Sequence, residues 1–440
     1  MQNMGDFRSS LDCERMGREM HALIAKLYPL CRSMTGDGVR QTLAIIKEHI
    51  PLTILEVASG TQVFDWTVPK EWNIRDAYIK SPGGEKVVDF KQSNLHVVSY
   101  SSPVRETMDL SQLKEHLFTL PDQPDLIPYR ASFFKESWGF CMSHNQMLTL
   151  ASGPYEIVID SSLEDGYLTY GELLIKGRTT DEILISTHVC HPALCNDNLS
   201  GIAVATMLAK SLLTLELKYS YRFLFIPTTI GAITWLSQNE DTVPRIKHGL
   251  VLACVGDAGK STYKKSRRGD AEIDRAMMLV LKLSGKDFNV NDFIPYGNDE
   301  RQFCSPGFDL PVGCLTRTPH GRFPEYHTSA DNLSFVQPDC LADSLYKCLA
   351  ALSIVDSNGT FINQNPKCEP QLGRRGIYRS YAEQKKDGGI MEMALLWVLN
   401  LSDGRHSLLD IAEKSGLNFD VVREAAELLL KHDLLKANVS

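Results

Sequence analysis

A layered α/β core with a mostly parallel sheet between helices is the fold class this chain predicts, and three features predict it. From residue 181, apolar strand-like runs alternate with helical stretches, as in "EILIST", "SGIAVATMLAKSLLTL" and "YRFLFIPT". Runs with no polar alternation belong to strands buried on both faces. The chain has 440 residues, too many for one ordinary core, and its rhythm breaks at about residue 62 and again after about residue 362.

The elements follow in order. "GREMHALIAKLYPLC" has helical apolar spacing and ends near Pro29; "VRQTLAIIKEHI" restarts a helix after the "TGDG" turn and stops at Pro51; "LTILEVASG" reads as a strand. This first part of the core spans 1–62. Residues 63–155 carry short, aromatic-rich strand candidates such as "KVVDF" and "LHVVSYSS", with one helix near "LSQLKEHLFTL", and read as a β-rich insert. The core resumes over 156–362: "YEIVIDSSLEDGYLTYGELLIKG" gives two strands, followed by the strand–helix series through "HGLVLACVGDAG", "EIDRAMMLVLKLSG", "LPVGCLTR" and "CLADSLYKCLAALSIVDS". After a polar linker, 376–440 gives three helices with a short "SGLN" turn, the mark of a winged helix-turn-helix domain.

Composition narrows the function. Hydrophobic content of 43% and charged content of 23% are those of a soluble globular protein, and a net charge of −8 disfavours nucleic-acid binding by charge neutralisation. No run is long enough for a membrane span, and the start has no apolar signal region. Eleven cysteines without a CxxC pair read as reduced thiols, so a cytoplasmic protein is expected.

The chemistry collects on loops after the strands, where α/β sheets place their sites. "HVCHPALCNDNLSG" (188–201) offers His188, His191 and Asp197; "LVLACVG" leads into Asp257; "PEYHTSADN" (324–332) offers His327, with Glu325 beside it; "GNDERQF" (297–303) adds Asp299 and Glu300. Imidazoles with hard carboxylates are a zinc donor set. Asp331, four residues after His327, is expected to hold that histidine's tautomer from behind, and Asn198 is assigned a similar supporting place.

The order His, "NDNLSG", a strand with "xxIG", "GD" and "YHTSADN" resembles the M28-type zinc aminopeptidases. More closely, "DWTVPKEWNIRDAYI", "CHPALCNDNLSG", "EYHTSADNL" and the helix-turn-helix tail resemble the DUF4910 and DUF2172 aminopeptidase-like group. Members of that group are often named as polysaccharide-biosynthesis proteins. The resemblance covers nearly the whole chain. It implies an M28-like core with a β insert and a winged helix, with Asp197 as a ligand that bridges if two ions bind. His327 is then the late ligand and Asp257 the third-strand carboxylate. For the first histidine, strand registration favours His188, while the "CHP" motif favours His191, which is preferred.

One departure bears on mechanism. The M28 pattern has two glutamates after the second core strand, and here "IPTTIG" puts Thr228 and Thr229 there. Losing one ligand favours one zinc ion over two. Losing the base weakens hydrolysis, typically by about 10²–10⁴-fold. Glu325 or Glu300 is the expected substitute, and Arg32 and Arg301 are candidates to grip a substrate carboxylate or phosphate. The expected activity is hydrolysis of an amide in a small molecule or short peptide, in a polysaccharide or secondary-metabolite pathway. The alternative is a weakened or inert metal-binding member of the group. From Met391 onward, five lysines and arginines face eight acids, so the tail is expected to pack or to form homo-oligomers rather than read DNA. Of the aromatic insert, Trp66, Trp72, Tyr78, Tyr129 and Trp138 are expected to cover the cleft.

Overall fold

A computed structural model describes residues 3–133, 135–377 and 388–438. Its core is one eight-stranded sheet. The strands are β1 (Thr53–Ala58), β2 (Tyr167–Ile175), β3 (Glu182–His188), β4 (Ser220–Ile226), β5 (Ile246–Leu252), β6 (Ser261–Lys264), β7 (Phe288–Asn291) and β8 (Val312–Thr316). They lie in the order β1-β2-β4-β3-β5-β8-β6-β7. The central four, β4-β3-β5-β8, are parallel, while β1, β2 and the β6/β8 pairing are antiparallel. The sheet is therefore mixed at its flanks and parallel where it is most buried.

Alternation along each central strand splits the core into two layers. Ile183, Ile185, Phe223, Phe225, Leu250 and Leu252 face one apolar cluster; Leu184, Leu224, Ile226 and Val251 face the other. The first layer is covered by helices α1 (Cys13–Leu27), α2 (Asp37–Lys47), α3 (Gly201–Leu212), α5 (Glu272–Leu283) and α7 (Pro338–Ser357). The second is covered by α4 (Ile230–Gln238), with fully buried Trp235, and by the short α6 (Glu300–Phe303).

The connection from β3 runs to β4 on one side, and the chain then crosses back to β5 on the other. That reversal opens a crevice at the carboxyl end of β3, the usual ligand position in such sheets. Gly201 closes the loop there onto the sheet. A Cβ at this residue would lie 2.5 Å from Leu252 O and 2.6 Å from Thr187 Oγ1, so no larger residue fits.

The insert is a four-stranded antiparallel sheet of Lys86–Asp89, Glu71–Lys80, Pro154–Glu164 and Val104–Asp109. Its long strand runs past residue 155, so the two strands read around the acidic turn belong to different sheets: Pro154–Glu164 to the insert and Tyr167–Ile175 to the core. The expected helix near residue 110 is only Leu110–Leu113 with a 3₁₀ turn after it. The C-terminal module begins earlier than 376, because Thr360–Asn363 is the central strand of its sheet, between Asp403–Ser407 and Leu435–Ala437. Of the region expected to form the C-terminal domain, 376–440, residues 378–387 and 439–440 lie outside the described residues.

Candidate metal centre

Asp197 stands at the centre of a ring of imidazoles. His188, the last residue of β3, places Nε2 2.8 Å from Asp197 Oδ1. His327 Nε2 lies 3.0 Å from Oδ2, and His191 Nε2 lies 4.0 Å from the same oxygen. His188 and Asp197 are buried, and His191 and His327 partly so. Burial by itself would raise the Asp197 carboxyl, but the three histidines hold it well below the usual range. Burial pushes His191 down to about 3, so its imidazole is neutral with a free lone pair.

This donor set fits zinc. Imidazole nitrogens and a carboxylate are zinc donors, and His188, His191 and His327 each turn Nε2 toward the Asp197 carboxylate, so these residues would hold the ion. One donor atom each of His188, His191 and Asp197 lie within 4.8 Å of one another. Both sequence candidates for the first histidine therefore face the same carboxylate. Cys190 and Cys195, though adjacent, are kept as thiols by burial, which raises both.

Local structure explains why Asp197 points inward. It sits in the turn Cys195–Ser200, whose Asp197 and Asn198 leave helical geometry. Asp331 holds this turn: its carboxylate accepts the backbone N–H of Asn196 at 2.6 Å and of Asp197 at 2.9 Å. The expected contact of Asp331 with His327 is therefore corrected. The residue braces the Asp197 loop because the turn after His327 carries it under that loop. Burial pushes its carboxyl up to about 7. Asn198 is hydrogen-bonded to the end of β3. Its amide N–H groups reach Thr187 Oγ1, His188 O and His188 Nδ1, and its Oδ1 accepts from Cys254 N–H.

Three other expectations change. Asp257 does not join the ring. The strand before it ends at Leu252, and its carboxylate is occupied by four donors: Asn196 Nδ2, Gly259 N, and the N and Oγ1 of Thr318. Glu300 is fully buried and ion-paired to Lys264. Arg32, 1% exposed, donates Nη1 to Leu27 O (2.6 Å) and Nε to His191 O (2.8 Å), while Nη2 is buried with no hydrogen-bond partner among the described residues. It thus fixes the His191 loop instead of meeting solvent. Arg301 remains near the crevice, donating to Thr229 Oγ1 at 2.9 Å. Glu325 is part-exposed, and no hydrogen bond or ion pair ties its carboxylate to the ring among the described residues.

Two residues gain importance. Asp299, 1% exposed, accepts from Thr229 N–H at 2.6 Å and from Thr228 O–H at 3.2 Å. Burial raises it, opposed by the charge of His188 and the Thr229 N–H. It was visible in "GNDERQF", but spacing alone could not separate it from Glu300. Tyr129 comes from the insert. Its ring meets His191 and His327 edge-on, at 5.3 and 4.9 Å between centroids, and its N–H donates to His327 O at 2.7 Å. Of the five aromatic residues expected over the cleft, Tyr129 is seen against the ring. Trp72 donates to Ser101 O, Trp138 stacks on His116, and Tyr78 donates to Glu156.

In the tail, the helix Phe419–Lys431 packs through Asp420 onto Arg8, and Arg275 of α5 pairs with Asp410 and Glu413. No helix among the described residues is long and apolar enough to cross a membrane.

The chain matches the family model of a domain of unknown function, DUF4910, over residues 21–358, and a winged helix-turn-helix model over 359–437. A Clostridium acetobutylicum protein, named as a polysaccharide biosynthesis protein with an aminopeptidase-like domain, is 56% identical over 420 residues, 96% of each chain. A solved C. acetobutylicum structure, described as a candidate peptidase, superposes with a TM-score of 0.94 at 53% identity, covering 99% of this chain and 100% of that one. A zinc aminopeptidase from Bacillus subtilis shares the fold at 12% identity and a TM-score of 0.57, over 77% of this chain and 95% of that one. An M28 peptidase precursor from Shewanella amazonensis does so at 13% and 0.55, over 80% and 97%.

Proposed function

Because this chain belongs to the DUF4910 family and has the M28 peptidase fold, we propose that it is a zinc-dependent hydrolase of aminopeptidase type. Its substrate is an amide in a small molecule or short peptide. The observation that carries this is the Asp197 carboxylate with three imidazole Nε2 atoms at 2.8, 3.0 and 4.0 Å. His188, His191, Asp197 and His327 would hold the ion. One ion is proposed, since Thr228 and Thr229 bring no carboxylate and the Asp257 oxygens are taken.

When bound, zinc polarises a substrate carbonyl and lowers the pKa of water. The rest falls to the chain. Asp331 and Arg32 hold the two ligand loops in place, and Tyr129 walls the ring on the insert side, limiting the substrate's bulk. The name of the C. acetobutylicum relative supports a substrate drawn from polysaccharide precursors. The acidic tail, with its third helix docked on the N-terminal segment, serves packing or self-association instead of DNA reading.

Elemental analysis of protein purified without added metal tests the proposal. About one zinc per chain is expected, lost in His327→Ala. Less than about a tenth of an equivalent, with no uptake on titration, refutes it.

A further inference from the structure

Amide hydrolysis, as proposed above, needs a group that takes a proton from the attacking water and passes it to the departing nitrogen. The carboxylates near the ring can be taken in turn. Asp197 is itself a ligand candidate. Asp331 is occupied by two backbone N–H groups. Asp257 is occupied by four donors. Glu300 is bound to Lys264. No bond ties Glu325 to the ring among the described residues.

Asp299 differs from Asp331 and Asp257 in having one oxygen free of hydrogen bonds among the described residues, and from Glu300, whose carboxylate is sealed inside beside Lys264, in being held against the threonine turn after β4. It stands just before α6, and Oδ1 alone receives the bonds from Thr228 and Thr229. Those two threonines follow β4, whose last residue, Ile226, is the register partner of His188. Thr228 N–H in turn donates to Cys190 Sγ, next to His191. The carboxylate is thus clamped by one oxygen against the turn after β4, which borders the end of β3 that carries His188 and the loop that carries His191. Oδ2 carries no hydrogen bond from the protein among the described residues.

We propose that Asp299 Oδ2 is the proton-transferring group of this site, an assignment that rests on the hydrolase reading above. As the water oxygen bonds to the amide carbon, Oδ2 takes one of its protons. As the C–N bond breaks, the same proton goes to the leaving nitrogen. The products are a carboxylic acid and an amine, and Asp299 returns to carboxylate. Thr228 and Thr229 act as its clamp: they aim a carboxylate supplied by a loop some 70 residues away in sequence.

Asp299→Asn tests this, because the amide retains an oxygen for Thr229 N–H while losing basicity. Three measurements are made: zinc affinity by competition with a chromophoric chelator, turnover on a panel of aminoacyl anilides and N-acyl amides, and leucine hydroxamate affinity of the zinc-loaded protein. Expected are zinc affinity within about threefold of wild type, kcat lower by about 10²–10⁴-fold with KM little changed, and hydroxamate affinity at least about tenfold lower. Thr228→Glu in the Asp299→Asn background should recover at least about tenfold of the lost rate or hydroxamate affinity. A tenfold or greater fall in zinc affinity makes Asp299 a ligand and overturns the assignment. Unchanged turnover, or unchanged hydroxamate affinity where the panel holds no substrate, also overturns it. So does a loss seen in Glu325→Gln but not in Asp299→Asn. A wild-type protein that takes up no zinc removes the hydrolase reading itself, and is distinguished by appearing before any substitution.

Discussion

Asp331→Ala separates a bracing residue from a ligand. Asp331 is fully buried, and its carboxylate accepts two N–H groups of the Asp197 loop, at 2.6 and 2.9 Å. Alanine leaves both donors inside without that partner. Each buried, unpaired N–H costs about 1–3 kcal/mol, so the loop loses about 2–6 kcal/mol of support. The loop recovers part of this by turning Asn196 and Asp197 away, and that movement takes the Asp197 carboxylate out of the imidazole ring. Loss of such a supporting bond typically weakens metal binding about 10–100-fold, or about 1.4–2.8 kcal/mol. Asp331→Asn keeps one acceptor oxygen and should lose about half as much. Chelator competition gives the zinc affinities, and chemical denaturation of the metal-free proteins gives stability. Zinc affinity of Asp331→Ala within twofold of wild type would refute the reasoning.

Other outcomes follow from the same contacts. His188→Ala and His191→Ala should each lose zinc in elemental analysis, since both imidazoles face Asp197. Arg32→Met strands the carbonyls of Leu27 and His191, and urea denaturation should show a loss of roughly 3–6 kcal/mol, at about 1.5–3 for each charged hydrogen bond. His248, buried on β5 away from the ring, is pushed by burial from 6.5 down to about 4. Its folded form is therefore favoured when neutral. Stability is held above pH 6.5 and falls by about 1.4 kcal/mol per pH unit between 6.5 and 4, about 3 kcal/mol in all. His248→Gln should flatten that part of the stability-versus-pH curve.

What the chain reveals of itself depends on whether a residue's role is local. The buried strands Glu182–His188 and Ser220–Ile226 are legible because every residue in them is inside, which leaves short apolar runs, Ile183–Ile185 and Phe223–Ile226, with no polar alternation. Ser261–Lys264 and Phe288–Asn291 escape such a reading, being short and polar at the sheet's edge. The histidines are legible too, since few other residues suit a metal and they sit at the end of a strand or on the loops beyond one. The carboxylates are not. Asp257 and Asp299 both lie on loops and both look available in sequence. Thr318, 61 residues after Asp257, fills one of them, while Thr228 and Thr229 clamp the other by a single oxygen. A carboxylate's use is set by the donors that reach it in the folded chain. Threonines after β4, where the M28 pattern that this sequence resembles has two acids, thus still reach a carboxylate, that of Asp299, the acid proposed above to serve the site.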